Sequence, residues 1–553
     1  MREMPRHYKT SRLGATAVGL ALVVLAWWQI TEPGRDLTIR RDRLEEAEGL
    51  PVTYVVHPDA ASAGGRPGVL IAHGFGSTRK IMLGYAYTLA YAGYGVVLWD
   101  FGGHGANAGA LDDSRNVLQD DVDAALAYLR RQQEVDPNRL AIVGHSMGSG
   151  AAMAAGIRLP ETFDAVVALS PTSADVTETL PRNLLLQAGT WEPRFLENGR
   201  NLLDRAGGPG SSAQDFADGT ARALLEVPRR EHITILFDRR SQHTLLRWLE
   251  AVFGRSGPVG PDWATTRGEY GAGIGPYRDR RGVFYGLHVM GWMLLALAAA
   301  PFIRRARPAA PRSHGAGGAG SGDDARNGDD ARGAGDFPGA VAGRNRIGAR
   351  RRRLWWVWMV AGPFAATGIL ALLSGSLPIT RLGGMLVGGA VALWFGLFGA
   401  IWLAGGTRPR LPAGRSVLLG VGLFAFLWVG VGVMTQEVAL QWLLIPYRLA
   451  RWPAFALLSL PWLLAAGVCQ AGTTRAGRAA MYLAQTVTIV AALGLAGVTV
   501  SNLFIVVLVL PVLPAVFLIL SLAAAILDDP WAYALGAAPF FGWMLVAVFP
   551  LTG

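Results

Sequence analysis

The chain has a single cysteine, Cys469, in 553 residues. No disulfide can close within it, and the cysteine-based zinc and redox patterns have no ligands to draw on. Cys469 lies in an apolar stretch, so it says nothing about the redox compartment. Charge is scarce in the place where it would be most telling. From residue 283 onward long apolar stretches dominate, and His288 is the one ionisable residue inside the spans drawn below. Ion-coupled transporters place such groups at mid-membrane to carry charge or protons, so their scarcity argues against coupled transport. His288 remains a candidate functional group, although it sits near one end of its span, within reach of the interface. No set of His, Asp and Glu has metal-ligand spacing; no metal and no other cofactor is expected.

What is abundant is apolar sequence. A hydrophobic fraction of 51% is too high for a soluble protein of this length. The excess is uneven. Residues 35–256 have globular composition, whereas spans at about 14–30, 284–303, 354–373, 382–403, 416–434, 452–468, 479–500, 503–527 and 531–549 are each long and apolar, about nine crossings in all. The formal charge of +11 points to no nucleic acid, because the basic residues cluster beside these spans: Arg2 to Arg12, Arg304 to Arg307 and Arg350 to Arg353. The first span ends in Trp27-Trp28 with no small-residue cleavage site after it, which predicts an uncleaved anchor. Threading from a cytoplasmic start places the basic loops at 304–353, 408–415 and 475–478 inside, with Arg448 and Arg451 against the trend. The expected organisation is therefore a terminus and anchor (1–34), a globular domain (35–256), a linker (257–283), a further span (284–303), a disordered basic loop (304–353) and a polytopic all-α domain (354–553). The expected location is a bacterial-type plasma membrane, with the globular domain outside the cytoplasm and membrane lipids as partners.

Within 35–256 short apolar runs alternate with helical patterns, an order that predicts a mostly parallel sheet covered by helices on both faces. The expected strands are 52–56, 68–72, 95–99, 140–143, 165–169, 183–187 and 233–237; the expected helices are 80–91, 116–131, 147–158, 192–204 and 244–253. Between the fourth strand and the third helix stands Gly144-His145-Ser146-Met147-Gly148. Alone the pattern is weak, since a GxSxG arises by chance roughly 0.3 times in so glycine-rich a chain. It is accompanied by His73-Gly74-Phe75-Gly76-Ser77 after the second strand and Asp100-Phe101-Gly102-Gly103-His104-Gly105 after the third.

These three motifs, in this order and spacing, resemble the serine-hydrolase branch of the α/β-hydrolase superfamily. The resemblance covers most of the globular half and implies an α/β-hydrolase fold with a nucleophile elbow at Ser146. It implies an acid and then a histidine downstream. Glu192, in the turn after the strand 183–187, is the expected acid, with Asp175 and Asp238 as alternatives. His243, after the expected last strand, is the expected base, and His232, just before that strand, is its rival. The backbone N–H groups of Phe75 and Met147 are the implied oxyanion donors, while His73, His104 and His145 read as structural. Such a set would activate a serine hydroxyl and stabilise a tetrahedral intermediate. The expected activity is a membrane-anchored carboxylic ester hydrolase, with thioester or amide cleavage less favoured, acting on a small-molecule or lipid acyl substrate. An acyltransferase using the same acyl-serine is the alternative, and a membrane scaffold or transport protein with a silent hydrolase domain is a third reading. Residues 205–231 are expected as a cover over the pocket.

Overall fold

The structure is a computed structural model that describes residues 6–58, 65–111, 115–255, 277–305, 349–405, 411–500 and 503–552. The linker and the basic loop expected from sequence fall largely outside the described residues. Helix α1 (Arg6–Thr31) precedes a sheet of eight strands: β1 (Thr38–Leu44), β2 (Leu50–Val56), β3 (Arg66–Ala72), β4 (Gly95–Trp99), β5 (Val135–His145), β6 (Ala165–Leu169), β7 (Leu184–Gly189) and β8 (Arg222–Val227). The order is β1-β2-β4-β3-β5-β6-β7-β8, with β2 antiparallel to both β1 and β4 and all later pairings parallel. Helices α2 (Leu83–Tyr91), α3 (Arg115–Arg130), α4 (Met147–Arg158), α5 (Pro193–Arg205), α6 (Ala213–Asp218) and α7 (Arg239–Val252) complete this half.

Local sequence accounts for the strands. β3, β4 and β6 are buried at every position, as continuous apolar runs are when a parallel sheet is covered on both faces. Their alternate residues feed two cores. Val69, Ile71, Val96 and Val143 pack with Leu89 of α2 and Trp248 of α7, whereas Leu70, Val97, Ile142 and Val166 pack with Leu129 of α3 and Ala152 of α4. β1 reads Thr-Ile-Arg-Arg-Asp-Arg-Leu and is exposed along most of its length, a charged edge that discourages pairing with another chain.

Two expectations need correction. The run 233–237 is no strand; it holds a 3-10 turn, Thr234–Phe237, leading into α7. The last strand is instead β8, inside the segment expected as a cover. Its sequence, Arg-Ala-Leu-Leu-Glu-Val, carries charge at two of six positions and offers a weak alternation, yet Arg222 is buried with its guanidinium bonded to the carbonyls of Ala221 and Glu178.

The rest of the chain is helical: α8 (Arg281–Arg305), α9 (Ala349–Ser374), α10 (Gly388–Ala404), α11 (Gly414–Leu427), α12 (Met434–Val438), α13 (Pro446–Leu449), α14 (Trp452–Gln470), α15 (Arg475–Thr499), α16 (Val506–Val509), α17 (Leu513–Leu527) and α18 (Pro530–Val548). A π-helical turn, Trp428–Val433, joins α11 to α12. Among the described residues eight helices are long and apolar enough to cross a membrane, including Arg12–Gly34. This fits an integral membrane protein. The span expected at 382–403 is the exception. Its helix, α10, is 17 residues long, follows the 3-10 turn Ile379–Gly384, and packs buried among its neighbours. Helices α1 and α8 approach backbone to backbone at Gly19 and Gly291, where a Cβ on either would meet the other's carbonyl oxygen at 2.9 and 2.7 Å, the close contact that small residues permit between apolar helices. His288 lies beside this contact, buried, with its ring edge-on to Trp27 and Trp292.

The two halves are joined by polar bonds that ordinary apolar packing does not supply. Arg448, with no exposed surface, donates to the carbonyls of Val546, Phe549 and Gly103, the last at 2.5 Å. Leu551 exchanges bonds with the same loop, its N–H to Gly103 O at 2.8 Å and its carbonyl accepting from Leu111 N–H at 2.9 Å. At the start of α8, Arg281 pairs with buried Asp279 at 2.8 Å and donates to the carbonyls of Lys80 and Ile81. Asp279→Ala would leave that guanidinium buried without its counter-ion. The expected loss is about 3–5 kcal/mol, read as a lower unfolding midpoint in detergent than that of the parent or of the surface control Trp191→Ala.

Candidate active site

Ser146 occupies the turn between β5 and α4 with φ 54° and ψ −120°, a conformation that costs a non-glycine residue strain and persists only where the surroundings impose it. The glycines on either side are sterically required. A Cβ on Gly144 would stand 2.0 Å from Gly148 O, and one on Gly148 would stand 2.6 Å from His73 O. The turn is pinned by Ser146 N–H donating to Leu169 O at 2.9 Å and Ser149 Oγ donating to Ser146 O at 2.6 Å. The result is a serine raised above the carboxyl ends of the parallel strands.

Two further side chains converge on it. His232 Nε2 lies 3.0 Å from Ser146 Oγ, and His232 Nδ1 lies 2.8 Å from Glu192 Oε2. With Nδ1–H donating to the carboxylate, Nε2 is left to accept the serine proton. Glu192 stands at the N-cap of α5. Its other oxygen, Oε1, accepts from Gly189 N–H at 2.6 Å and from Ser170 Oγ at 2.9 Å, so the carboxylate is fixed at both ends. Phe195 stacks on the His232 ring at 4.3 Å between centroids. All three groups are buried. Burial pushes the His232 imidazole down, with Glu231 opposing. It pushes the Glu192 carboxyl up, against the bonds from Gly189 and Ser170.

His243, the base expected from sequence, takes no part in this arrangement. It lies half-buried on α7, where its Nε2 accepts from Arg239 Nε at 3.4 Å. The expectation rests on a last strand at 233–237, whereas the last strand is β8. Once β8 is placed at 222–227, the loop that follows it carries His232, and His243 falls a full turn into the next helix. A short apolar run closed by Gly219 and Pro228 was the available signal. Of the alternative acids, Asp238 caps α7 and pairs with Arg230 at 2.5 Å, and Asp175 lies in the loop after β6. Neither is bonded to His232.

The loop after β3 passes over the serine, so close that a Cβ on Gly74 would lie 3.1 Å from Ser146 Cβ. This places Phe75 beside the nucleophile, with Met147 at the first turn of α4; no backbone bond to a carbonyl is made by either N–H among the described residues. The neighbouring histidines are bonded to backbone. His73 accepts from Phe101 N–H at 3.1 Å and donates to Gly74 O at 2.8 Å, which fixes it neutral with the proton on Nδ1. His104 bonds Gly102 O and His145 bonds His232 O. Asp100 holds the second loop through Arg79 and Ala106 N–H.

Residues 65–208 match the family described as serine aminopeptidase, S33. The globular half is an α/β-hydrolase domain. The matched stretch includes Ser146 and Glu192 and ends before His232. The chain is also similar to an uncharacterized protein of Mycobacterium tuberculosis, 33% identical over 138 residues, 25% of this chain and 46% of that one. It is similar to the quorum-quenching protein AidA of Acinetobacter baumannii, 34% identical over 105 residues, 18% of this chain and 34% of that one. The chain thus spans less than half the length of these relatives. Among solved structures, a dienelactone hydrolase from Anabaena variabilis is 19% identical with a TM-score of 0.29, covering 40% of this chain and 99% of that one. An esterase from Rhizomucor miehei is 15% identical with a TM-score of 0.32, covering 46% and 94%.

If the hydrolase domain works through the three convergent groups, a fluorophosphonate probe labels the parent and His243→Ala alike. Ser146→Ala abolishes labelling, and His232→Ala slows it by about four orders of magnitude or more. Full loss of labelling in His243→Ala with an intact His232→Ala signal would reverse the assignment.

Proposed function

We propose that this protein is a membrane-anchored serine hydrolase that cleaves a carboxylic ester through an acyl-serine intermediate. The observation that carries the reading is the continuous path from Ser146 Oγ through His232 to Glu192, at 3.0 and 2.8 Å. Ser146 Oγ attacks the ester carbonyl while its proton passes to His232 Nε2. Glu192 holds the imidazole in the tautomer that can accept and stabilises the imidazolium formed. As the carbonyl oxygen gains charge, the N–H groups of Phe75 and Met147 are the donors proposed to receive it. The tetrahedral species collapses, the bond to the alcohol oxygen breaks, and His232 returns its proton to the departing alcohol. Water then attacks the acyl-serine carbonyl as its proton passes to His232; the carbonyl–Oγ bond breaks, His232 returns the proton to Ser146 Oγ, and the carboxylic acid leaves with the water oxygen.

Burial determines the pH dependence of this scheme. The working state needs Glu192 ionised and His232 neutral. Burial disfavours charge on either, so at alkaline pH the lone carboxylate is stabilised mainly by its bonds to Gly189, Ser170 and His232. As pH falls the pair takes up a proton and the path is broken. The expected profile of kcat/KM therefore loses about tenfold per pH unit on the acid side and is level above it. A profile that declines instead as pH rises toward mildly alkaline values would count against a neutral imidazole base.

Product analysis separates hydrolysis from transfer. With a labelled acyl ester and the full chain in vesicles, free carboxylic acid is the expected product, absent in Ser146→Ala; acyl label accumulating on an added alcohol or lipid in preference to water would replace hydrolysis by acyl transfer. The proposed orientation, with residues 35–256 outside the cytoplasm, has its own test. Protease added to intact cells stripped of any outer barrier should cut within 35–256 and spare 308–345, and the opposite pattern would overturn it.

A further inference from the structure

Three of the loops around Ser146 also touch the apolar helical half. The loop after β3, which carries Phe75, packs that ring against the apolar core. It continues past Val548, 3.6 Å from where a Cβ on Gly76 would lie, and bonds the segment after α12, with Thr78 Oγ1 donating to Ala439 O at 2.8 Å. Lys80 Nζ then donates to Gln436 O at 2.7 Å. The loop after β4 is held by Arg448 and Leu551 at Gly103. On the acid side, two residues from Glu192, the guanidinium of Arg194 lies over the ring of Phe504, 4.9 Å from its centroid. The catalytic edge of the sheet is therefore seated on one end of the apolar bundle. Ser146 itself is 5% exposed, while two large apolar side chains on the acid side face outward: Trp191, next to Glu192 in sequence and 64% exposed, and Phe504, beneath Arg194 and 44% exposed.

A site so placed lies against helices apolar enough to sit in hydrocarbon. Each methylene transferred from water to an apolar surface is worth about fourfold in partition, so a long chain concentrates an ester in the phase that this seam borders, whereas a short ester stays in water. We infer that the substrate of Ser146 is a membrane-resident amphiphile, a carboxylic ester bearing at least one long acyl chain, which reaches the nucleophile along the seam between the hydrolase domain and the apolar helices. The inference deepens the serine-hydrolase reading and rests on it. Phe504, Trp191 and Val548 are the apolar side chains assigned to this approach.

The test uses the full chain in phosphatidylcholine vesicles and two probes with the same reporter alcohol, a palmitoyl ester and an acetyl ester, each corrected by Ser146→Ala. The palmitoyl ester should turn over at least about tenfold faster in kcat/KM. Its rate should follow its mole fraction in the vesicle rather than its bulk concentration. Phe504→Gln and Val548→Gln should each lower the palmitoyl-to-acetyl ratio, because they place an amide on the apolar approach. Equal turnover of the two esters, or a rate set by bulk concentration alone, overturns the inference and leaves the serine-hydrolase reading standing. Absence of Ser146-dependent turnover of both esters, with fluorophosphonate labelling intact, removes the ester reading and the inference with it.

Discussion

The guanidinium of Arg448 has no exposed surface and holds three carbonyls, two from the end of the last helix and one from the loop beside the catalytic edge. A buried cation is costly unless it is fully bonded, and its Nε has no partner among the described residues, so these carbonyls supply the compensation. That constraint fixes the loop containing Gly103, and the rings packed on it follow. His104 lies edge-on to His73 and Phe75, with centroids 5.1 and 5.7 Å apart, and Phe75 borders the nucleophile. The site's geometry is thus set from two directions, by the strained serine turn inside the sheet and by a bonded arginine beneath it.

Inside the site the dominant influence is burial. Glu192, His232 and Ser146 are shielded almost completely, and the carboxylate divides three donors between its oxygens, Oε2 facing His232 and Oε1 facing Gly189 and Ser170. Glutamate rather than aspartate at this turn gives the carboxylate one more methylene, which lets it stand at the N-cap of α5 and still span Gly189, Ser170 and His232. The three neighbouring histidines spend a ring nitrogen on backbone carbonyls. Their role is to shape loops, and His232 alone is bonded to the serine.

Much of this was legible in the sequence. Continuous apolar runs such as Ala-Val-Val-Ala-Leu announce covered parallel strands, and glycines two residues either side of Ser146 announce the elbow, because in both cases local chemistry is sufficient. The failures occurred where tertiary context overrides it. β1 is a strand although four of its seven residues are charged, since pairing with β2 is enough at an exposed edge. β8 holds a buried arginine that finds carbonyls only once the sheet is assembled. Without β8 the local pattern puts the histidine that follows the last strand one element late, at His243 rather than His232. In the apolar half the spans could be counted from hydropathy, but α10 shows that apolarity alone does not distinguish a full crossing from a shorter helix packed inside the bundle. The seam could not be read at all, because Gly103 and Arg448 stand 345 residues apart and neither carries a local sign of the other.

That separation has a consequence for the order of assembly. Domains tend to fold as they emerge during synthesis, so the sheet and its elbow can be complete while most of the helical half is still unmade. The loop at Gly103 acquires its bonds from Leu551 and, with them, the full set of carbonyls around Arg448 only after the last helix is in place. Until then the loop beside Ser146 lacks the bonds that hold it in register.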